Sequence, residues 1–534
     1  MGPRTFGTFN HSVFNISPDP ELIIWSLKWW PFSFAHHLNP FYTTYIWNPK
    51  GFSMAWATSV PTLAIILAPL TLLANPQLSF NLIAITALPL AALTCYWLIY
   101  YLTHHYFASL LGGCLFGFST YQFAQLLGHP SLYCTCLVPL VILLFLLRLD
   151  STLSKKLFII FEAICIVLQF GVSNEVLTTF LVFAFIALVL FYLLSTKSQK
   201  KLLKTTTVEL IFAGCFAVII LSPYLYYIIV DYRDVPKIIN SPDVFSANLL
   251  NYIIPTPITR ILGNHFHSIS AGFSANYSED GAYLGAPFLV LLAYYVITYW
   301  KKAYVKALGV LLAILIVASL GYRLNISGKQ TSIILPWAIV HIIPVLRSAL
   351  PDRITLFISL VAAIMTGLWL SYQTSRFIIY LKFTIVIFII VTLLPNPVYS
   401  WQDLKVPRIF QAKYVAQYIP AKSNVLLLPF GYTGNDMYYQ VTSSMWFTQS
   451  GGYMGFTPPS ESTLPIVTAA FYADSPEPTF TTDIELYCKI NKISQIIYTP
   501  NTGPNLKKVL TELQWPTAQE DGALVIQVPV QYRT

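Results

Sequence analysis

Ten stretches of this chain are long and almost wholly apolar, and they decide what it can fold into. They cover 78–102, 107–127, 131–148, 157–171, 175–195, 205–230, 284–299, 304–320, 354–372 and 377–395. About 20 apolar residues cross a bilayer as a helix. In lipid each backbone polar group must be paired within its own segment, so a helix bundle follows. A membrane barrel needs alternating strands, and LVPLVILLFLLRL (137–149) does not alternate. Composition agrees: 56% of the 534 residues are hydrophobic and 10% charged, too few charges to cover a soluble surface, where about a quarter is usual.

The net charge of +9 does not indicate nucleic acid, because the lysines and arginines cluster in short loops between apolar runs, where they set orientation. Four clusters stand out: Arg148, Lys155 and Lys156; Lys197, Lys200, Lys201 and Lys204; Lys301, Lys302 and Lys306; Arg376 and Lys382. All four reach the cytoplasmic face only if two further apolar runs, 60–75 and 331–346, do not cross. Both are therefore expected as interfacial or re-entrant helices interrupted by prolines. The outer face then receives 1–77, 231–283, 321–353 and 396–534. The expected domains are an extracytoplasmic first loop with interfacial helices (1–77), a transmembrane bundle (78–395) with outer loops 231–283 and 321–353, and an extracytoplasmic domain (396–534). No basic leader precedes an apolar core at the start, so something must carry residues 1–59 across; the expectation is that a first spanning helix is missing from this chain.

The tail reads as a small α/β domain. LQWPT, SNVLLLPF, ISQIIYTP and ALVIQVPV read as short elements, three of them strands with turn residues beside them, and NLKKVLTELQ reads as a helix. The fold class is thus an all-α polytopic transmembrane bundle of about 10 spanning helices, with interfacial helices and this C-terminal domain.

The most informative stretch runs from Ser17 to Leu73. Asp19 and Glu21 open a Trp-rich helix whose Trp25, Trp29 and Trp30 suit the headgroup zone; a Tyr/Thr segment and the proline-led run at 60–75 follow. This layout resembles the GT-C fold membrane glycosyltransferases that use polyprenyl-phosphate sugars, in an uncharacterised bacterial branch. EDGAYLG (279–285), LPW (335–337), SALPDR (348–353), SNVLLLPFGY, MYYQ and GGYMGFTPP resemble features of the same group. The resemblance implies transfer of a hexosyl or pentosyl unit, with inversion, to a glycan, lipid or protein acceptor on the outer face of a bacterial cell membrane. The chain is expected to depart from the group in lacking the first membrane helix.

The chemistry fits these residue types. An inverting transfer needs a carboxylate base, matched by Asp19 and less well by Glu21. It needs cations for the lipid-phosphate leaving group, for which Arg347 and Arg353 are the first candidates, with Arg260, Arg323 and Lys329 behind them. Asp19 can equally cap its helix, and the arginines can equally snorkel to headgroups. Glu175 is a second acidic candidate, beside Ser173-Asn174, which reads as a helix start. Glu162, inside an apolar run, is expected to pair with a polar neighbour. Glu279 and Asp280 either line a cavity mouth, bind a cation or sit in a solvated loop. His265 and His267 have a spacing that permits metal, and within the GT-C group a divalent metal is used by some members only; no cofactor is otherwise implied. No P-loop, HExxH or GxSxG motif occurs. Two other readings stay open: a transporter or flippase of lipid-linked saccharide, which needs midplane charges and usually inverted repeats, and an inactive membrane scaffold.

Overall fold

A computed structural model describes residues 12–14, 18–235, 244–340, 349–372, 375–397, 401–403, 406–500 and 503–533. Its helices, in chain order, are α1 (Pro18–Ala35), α2 (Pro61–Ile66), α3 (Ala68–Leu73), α4 (Pro76–Thr103), α5 (Tyr106–Gly117), α6 (Thr120–Gln125), α7 (Leu137–Leu149), α8 (Lys155–Val172), α9 (Asn174–Leu194), α10 (Lys197–Val230), α11 (Ala286–Tyr299), α12 (Ala303–Ser319), α13 (Thr355–Ser371) and α14 (Arg376–Thr392). Among the described residues, five helical segments are long and apolar enough to cross a membrane: Pro76–Thr103, Pro130–Leu149, Asn174–Leu194, Lys197–Arg233 and Pro351–Ser371. The chain reads as an integral membrane protein.

The chain divides into two compact units. The first is built from Leu82–Leu221 and Asn240–Ser400. Its centre is α13, whose residues are almost all buried and which packs on α5 and α12. Between apolar helices in lipid, small residues allow close approach, and glycines do so here. A Cβ added to Gly112 of α5 would lie 2.4 Å from Ile99 Cδ1, and one on Gly117 would lie 2.4 Å from the Ala92 amide nitrogen.

Two expectations change in this unit. The run 107–127 is not one helix. It breaks after Gly117, and Ser119 restarts the chain as the cap of α6, its Oγ accepting from Gln122 N at 3.4 Å. The run at 331–346 does not begin as a helix. Residues 331–334 belong to a hairpin of β1 (Arg323–Ile326) and β2 (Lys329–Ile334), closed at Ser327 and Gly328, both at positive φ. β-branched Thr331, Ile333 and Ile334 favour that pairing. A single helical turn, Trp337–Val340, follows, and the rest of the run lies outside the described residues.

The second unit joins Gly2–Asn81, Ser222–Ile239 and Trp401–Thr534. Its core is a five-stranded sheet of β3 (Asn424–Leu428), β4 (Thr448–Gln449), β5 (Gln495–Tyr498), β6 (Thr517–Glu520) and β7 (Ala523–Gln527), in the order β6-β7-β5-β3-β4. β5, β3 and β4 are parallel, and β6 and β7 antiparallel. NVLLL and QIIY are buried along their whole length, as parallel strands covered on both faces must be. α16 (Pro465–Ala473), α17 (Phe480–Asn491) and α18 (Pro504–Glu512) bring Phe471, Ile484, Leu506 and Leu510 onto Leu426, Leu428, Ile496 and Ile526. Before them comes α15 (Asp436–Thr442).

The first segment is part of this unit's fold. Residues 45–48 run along the β4 edge: Gln449 N donates to Tyr45 O at 3.0 Å, Asn48 N to Gln449 O at 3.0 Å and Trp47 N to Gly451 O at 3.2 Å. An exposed sheet edge is thereby covered. The three tryptophans of α1 are therefore core, not headgroup anchors, and no more than 2% exposed. Trp25 stacks on Trp29 with ring centroids 5.3 Å apart. Their indole N–H groups donate to Gln440 Oε1, Pro40 O and Ser59 O respectively. Each such burial contributes about 4–6 kcal/mol before ordering costs, and the protein core offers both the apolar contact and the acceptor.

Candidate active site

Two clusters of buried acid emerge, one in each unit. In the first unit, the turn Pro351–Ile354 that leads into α13 delivers Asp352 and Arg353. Glu175 opens α9, where Ser173 Oγ caps the helix by accepting from Val176 N at 3.2 Å. Glu279 and Asp280 come from a loop held down at several points. Thr120 Oγ donates to Gly281 O at 3.1 Å, and Ala282 N donates to Asn251 Oδ1 at 2.9 Å. A Cβ on Gly281 would lie 2.9 Å from Tyr121 Cα, so only glycine lets this loop lie so close.

Arg353 ties these pieces together. Nη1 meets Glu175 Oε2 at 2.5 Å, Nη2 meets Glu279 Oε1 at 2.5 Å, and Nε lies 3.2 Å from both Glu279 oxygens. Glu175 Oε1 also accepts from Leu350 N at 3.2 Å. Gln125 Nε2 donates to Glu279 Oε2 at 2.9 Å, and its Oε1 lies 2.7 Å from His129 Nδ1. Burial alone would raise the Glu279 carboxyl, but Arg353, with His129 and Gln125, outweighs it and holds it below the ordinary range. Asp280 has no such partner: burial and then Glu279 push it up to about 7. Asp280 Oδ2 and both Asp352 carboxylate oxygens are buried without a hydrogen-bond partner.

The second cluster involves α1. Asp19 and Glu21 occupy its first turn. Asp19 is partly exposed, while Glu21 is buried at 3% exposure. Burial, then the neighbouring Asp436 of α15, drives the Glu21 carboxyl well above the usual range, against the Tyr438 peptide group. Burial pushes Asp436 to about 7, although peptide groups at Met437 and Gly452 lower it. These lie close enough to act on its charge, yet neither Asp436 oxygen has a donor in hydrogen-bonding geometry. The helix is pinned by Gln440. Its Oε1 accepts from Trp25 Nε1 at 2.6 Å, and its Nε2 donates to Tyr45 O and Phe447 O at 2.8 Å each. Gln77 and the Tyr438 hydroxyl are also bonded.

The other sequence candidates fall as follows. Glu279 and Asp280 are buried at 4% and 5% exposure, so the solvated-loop expectation fails. Arg353 does not snorkel; its fork is filled by carboxylates. Glu162 is fully buried, and neither oxygen finds a hydrogen-bond partner, so the expected polar neighbour is absent among the described residues. Arg260 is exposed and forms no ion pair among the described residues. Arg347 lies outside the described residues. His265 is exposed, and His267 Nδ1 lies 2.9 Å from the Tyr277 hydroxyl. Among the described residues no group of three His, Cys, Asp or Glu could hold a metal ion. Asp436, Gln440 and Gln125 were not foreseen. Asp352 was within reach, since it stands in the SALPDR segment beside Arg353.

A family model described as a domain of unknown function (DUF6311) matches residues 25–394. The chain belongs to that family. No curated protein matches this DUF6311 chain. Among solved structures it is similar to arabinofuranosyltransferase AftD from mycobacteria, at 12% identity and TM-score 0.55, over 98% of this chain and 39% of that one. A mutant of the same enzyme in a second class gives 12%, TM-score 0.57, 98% and 40%. The apo oligosaccharyltransferase of Archaeoglobus fulgidus gives 11% identity over 92% of this chain and 67% of that one, at TM-score 0.47, too slight to argue from. The chain thus spans about two fifths of the length of the mycobacterial enzyme. It has the GT-C fold of membrane glycosyltransferases.

Proposed function

We propose that this chain is a membrane glycosyltransferase that moves a sugar from a polyprenyl-phosphate donor to an acceptor on the extracytoplasmic face, with inversion. The observation that carries the reading is the contrast within the first turn of α1. Glu21 is buried close enough to Asp436 to feel its charge, and Asp19, two residues away, is partly exposed on a helix held by Gln440. A base must sit on a rigid element and remain able to meet the acceptor hydroxyl. Asp19 would take that proton as the hydroxyl oxygen attacks the anomeric carbon; the carbon–oxygen bond to the lipid phosphate breaks, and the phosphate leaves as an anion. That anion needs a cation. Arg353 already has its donors committed to Glu175 and Glu279, so a different cation has to take that part. The GT-C fold supports the reaction class; the donor and acceptor remain part of the proposal.

The test is reconstitution of the purified chain in proteoliposomes with radiolabelled polyprenyl-phosphate hexoses and pentoses, followed by chase into glycan, lipid and protein fractions. Release of polyprenyl phosphate coupled to labelled acceptor supports the proposal. Transbilayer movement of intact donor without bond cleavage would establish a flippase instead.

A further inference from the structure

A cluster of cations in the first unit has no acid paired with it among the described residues. Lys301 and Lys302 lie between α11 and α12, Lys306 lies in the first turn of α12, and Arg376 and Lys382 lie on α14. From Gly281 to Ser400 the chain contains a single acidic residue, Asp352. That residue precedes α13, whose far end is followed by Tyr372; 17 helical residues, about 25 Å, separate it from the cations. Of the five cations, none forms an ion pair among the described residues.

Aromatic rings take the place of carboxylates. Lys302 Nζ stands 3.9 Å from the Tyr372 ring centroid, 5.1 Å from that of Tyr299 and 6.0 Å from that of Tyr304. The Tyr372 hydroxyl lies 2.6 Å from the Tyr304 hydroxyl and 3.3 Å from the Tyr295 hydroxyl. Behind the cage, Lys382 is 5% exposed, and its ammonium donates to Trp369 O at 3.0 Å and Tyr372 O at 3.1 Å. Its Nζ is 6.0 Å from the Tyr372 ring. Lys306 Nζ lies 5.5 Å from the Trp300 ring. Ring faces orient an ammonium but cancel none of its charge. Lys302 is exposed, with the Tyr372 and Tyr304 hydroxyls on the rings around it. Exposed Trp300, Phe377 and Tyr380 are carried by the same helix ends, the kind of surface that lipid tails and the headgroup boundary cover.

We infer that this end of the bundle is a binding site for the headgroup of an anionic phospholipid, with Lys302, Lys301, Lys306 and Arg376 meeting the phosphate and the one O–H left over from the Tyr372–Tyr304 hydrogen bond donating to its oxygens. A basic site between membrane helices is suited to such headgroups. The site stands apart from the transferase reading and holds whichever reaction the chain performs.

The experiment uses the full chain, delipidated in detergent, and its thermal unfolding midpoint. Added phosphatidylglycerol is expected to raise the midpoint by about 3–5 °C; phosphatidylcholine and inorganic phosphate at equal concentration are expected to leave it unchanged. Native mass spectrometry on the same samples should show retained phosphatidylglycerol, released by salt. The shift and the retained lipid should disappear in Lys302→Ala/Arg376→Ala, two exposed positions, and persist in Lys201→Ala/Lys204→Ala, a charge-matched control at the exposed start of α10. Equal shifts with both lipids, a shift with inorganic phosphate alone, or full retention in the double variant would each overturn the assignment.

Discussion

The two units bury acid in different ways. In the first, Arg353 reaches both Glu175 and Glu279 and holds the Glu279 carboxyl below the ordinary range. In the second, Asp436 acts on Glu21, neither forms an ion pair among the described residues, and burial drives both carboxyls upward. The first cluster is an ionic tie between a helix start, a loop and the turn before α13; the second is an acid pair that holds a proton near neutral pH. The difference teaches that burial raises a carboxyl unless a cation reaches it. An ion pair also behaves unlike a protonated pair when perturbed: removing its cation strands charge, whereas removing a protonated acid strands none.

That contrast can be broken most severely at Arg353. Arg353→Leu should cost about 3–5 kcal/mol, read as a collapse of the unfolding midpoint in detergent. The double variant Arg353→Leu/Glu279→Gln should recover part of the loss, and an absence of recovery would show that the guanidinium was packing rather than compensating charge.

Gln440 gives the next largest effect. Gln440→Ala leaves Trp25 Nε1 buried without its acceptor, at a cost of about 1–3 kcal/mol. Because α1 carries Asp19, this variant should lower the transfer rate more than donor affinity. Equal losses in both would mean that the helix keeps its place without this bond.

Asp436 gives a pH signature. Between the ordinary carboxylate value and about 7, the folded chain holds a proton that the unfolded chain has released. Stability should therefore fall as pH rises through that window, by up to about 1.4 kcal/mol per pH unit, and Asp436→Asn should flatten the slope. Glu279 runs the other way. Its folded value is depressed, so its contribution is present above the ordinary glutamate value and is lost as pH falls through the folded one. A stability profile that rises steadily from pH 4 to pH 7 in the wild type would contradict the proton-bearing pair.

The smallest effect belongs to Ser173. Ser173→Ala removes the cap of α9 at a cost of about 1 kcal/mol, and by loosening Glu175 it should add to, not replace, the loss in Glu175→Gln.

Helices were legible where apolarity alone decides them. The runs at 78–102, 175–195 and 354–372 appear as α4, α9 and α13 within a few residues, and the strands in SNVLLLPF, ISQIIYTP and ALVIQVPV appear as β3, β5 and β7. Breaks were harder, because Ser119 interrupts an apolar run with a cap that local hydropathy does not register. The fate of α1 was not legible. Its tryptophans have the composition of an interfacial helix, and only the distant Gln440, 415 residues from Trp25, reveals a protein core around them. The acid clusters were half legible. Glu175, Glu279 and Arg353 stood out as charges in an apolar chain, but nothing in sequence indicated that the arginine would be consumed by the other two. Asp436 gave no sign at all, because its chemistry arises from a neighbour on a remote segment.

The most direct test of the account compares the two carboxylates of α1 in one assay. Sugar transfer from a polyprenyl-phosphate donor would be measured in proteoliposomes for wild type, Asp19→Asn and Glu21→Gln, with unfolding midpoints on the same preparations. The account predicts a loss of about 10²–10⁴-fold for Asp19→Asn at an unchanged midpoint, and near-normal transfer for Glu21→Gln. Wild-type transfer that survives in Asp19→Asn and vanishes in Glu21→Gln would contradict it, and would move the base to the buried pair.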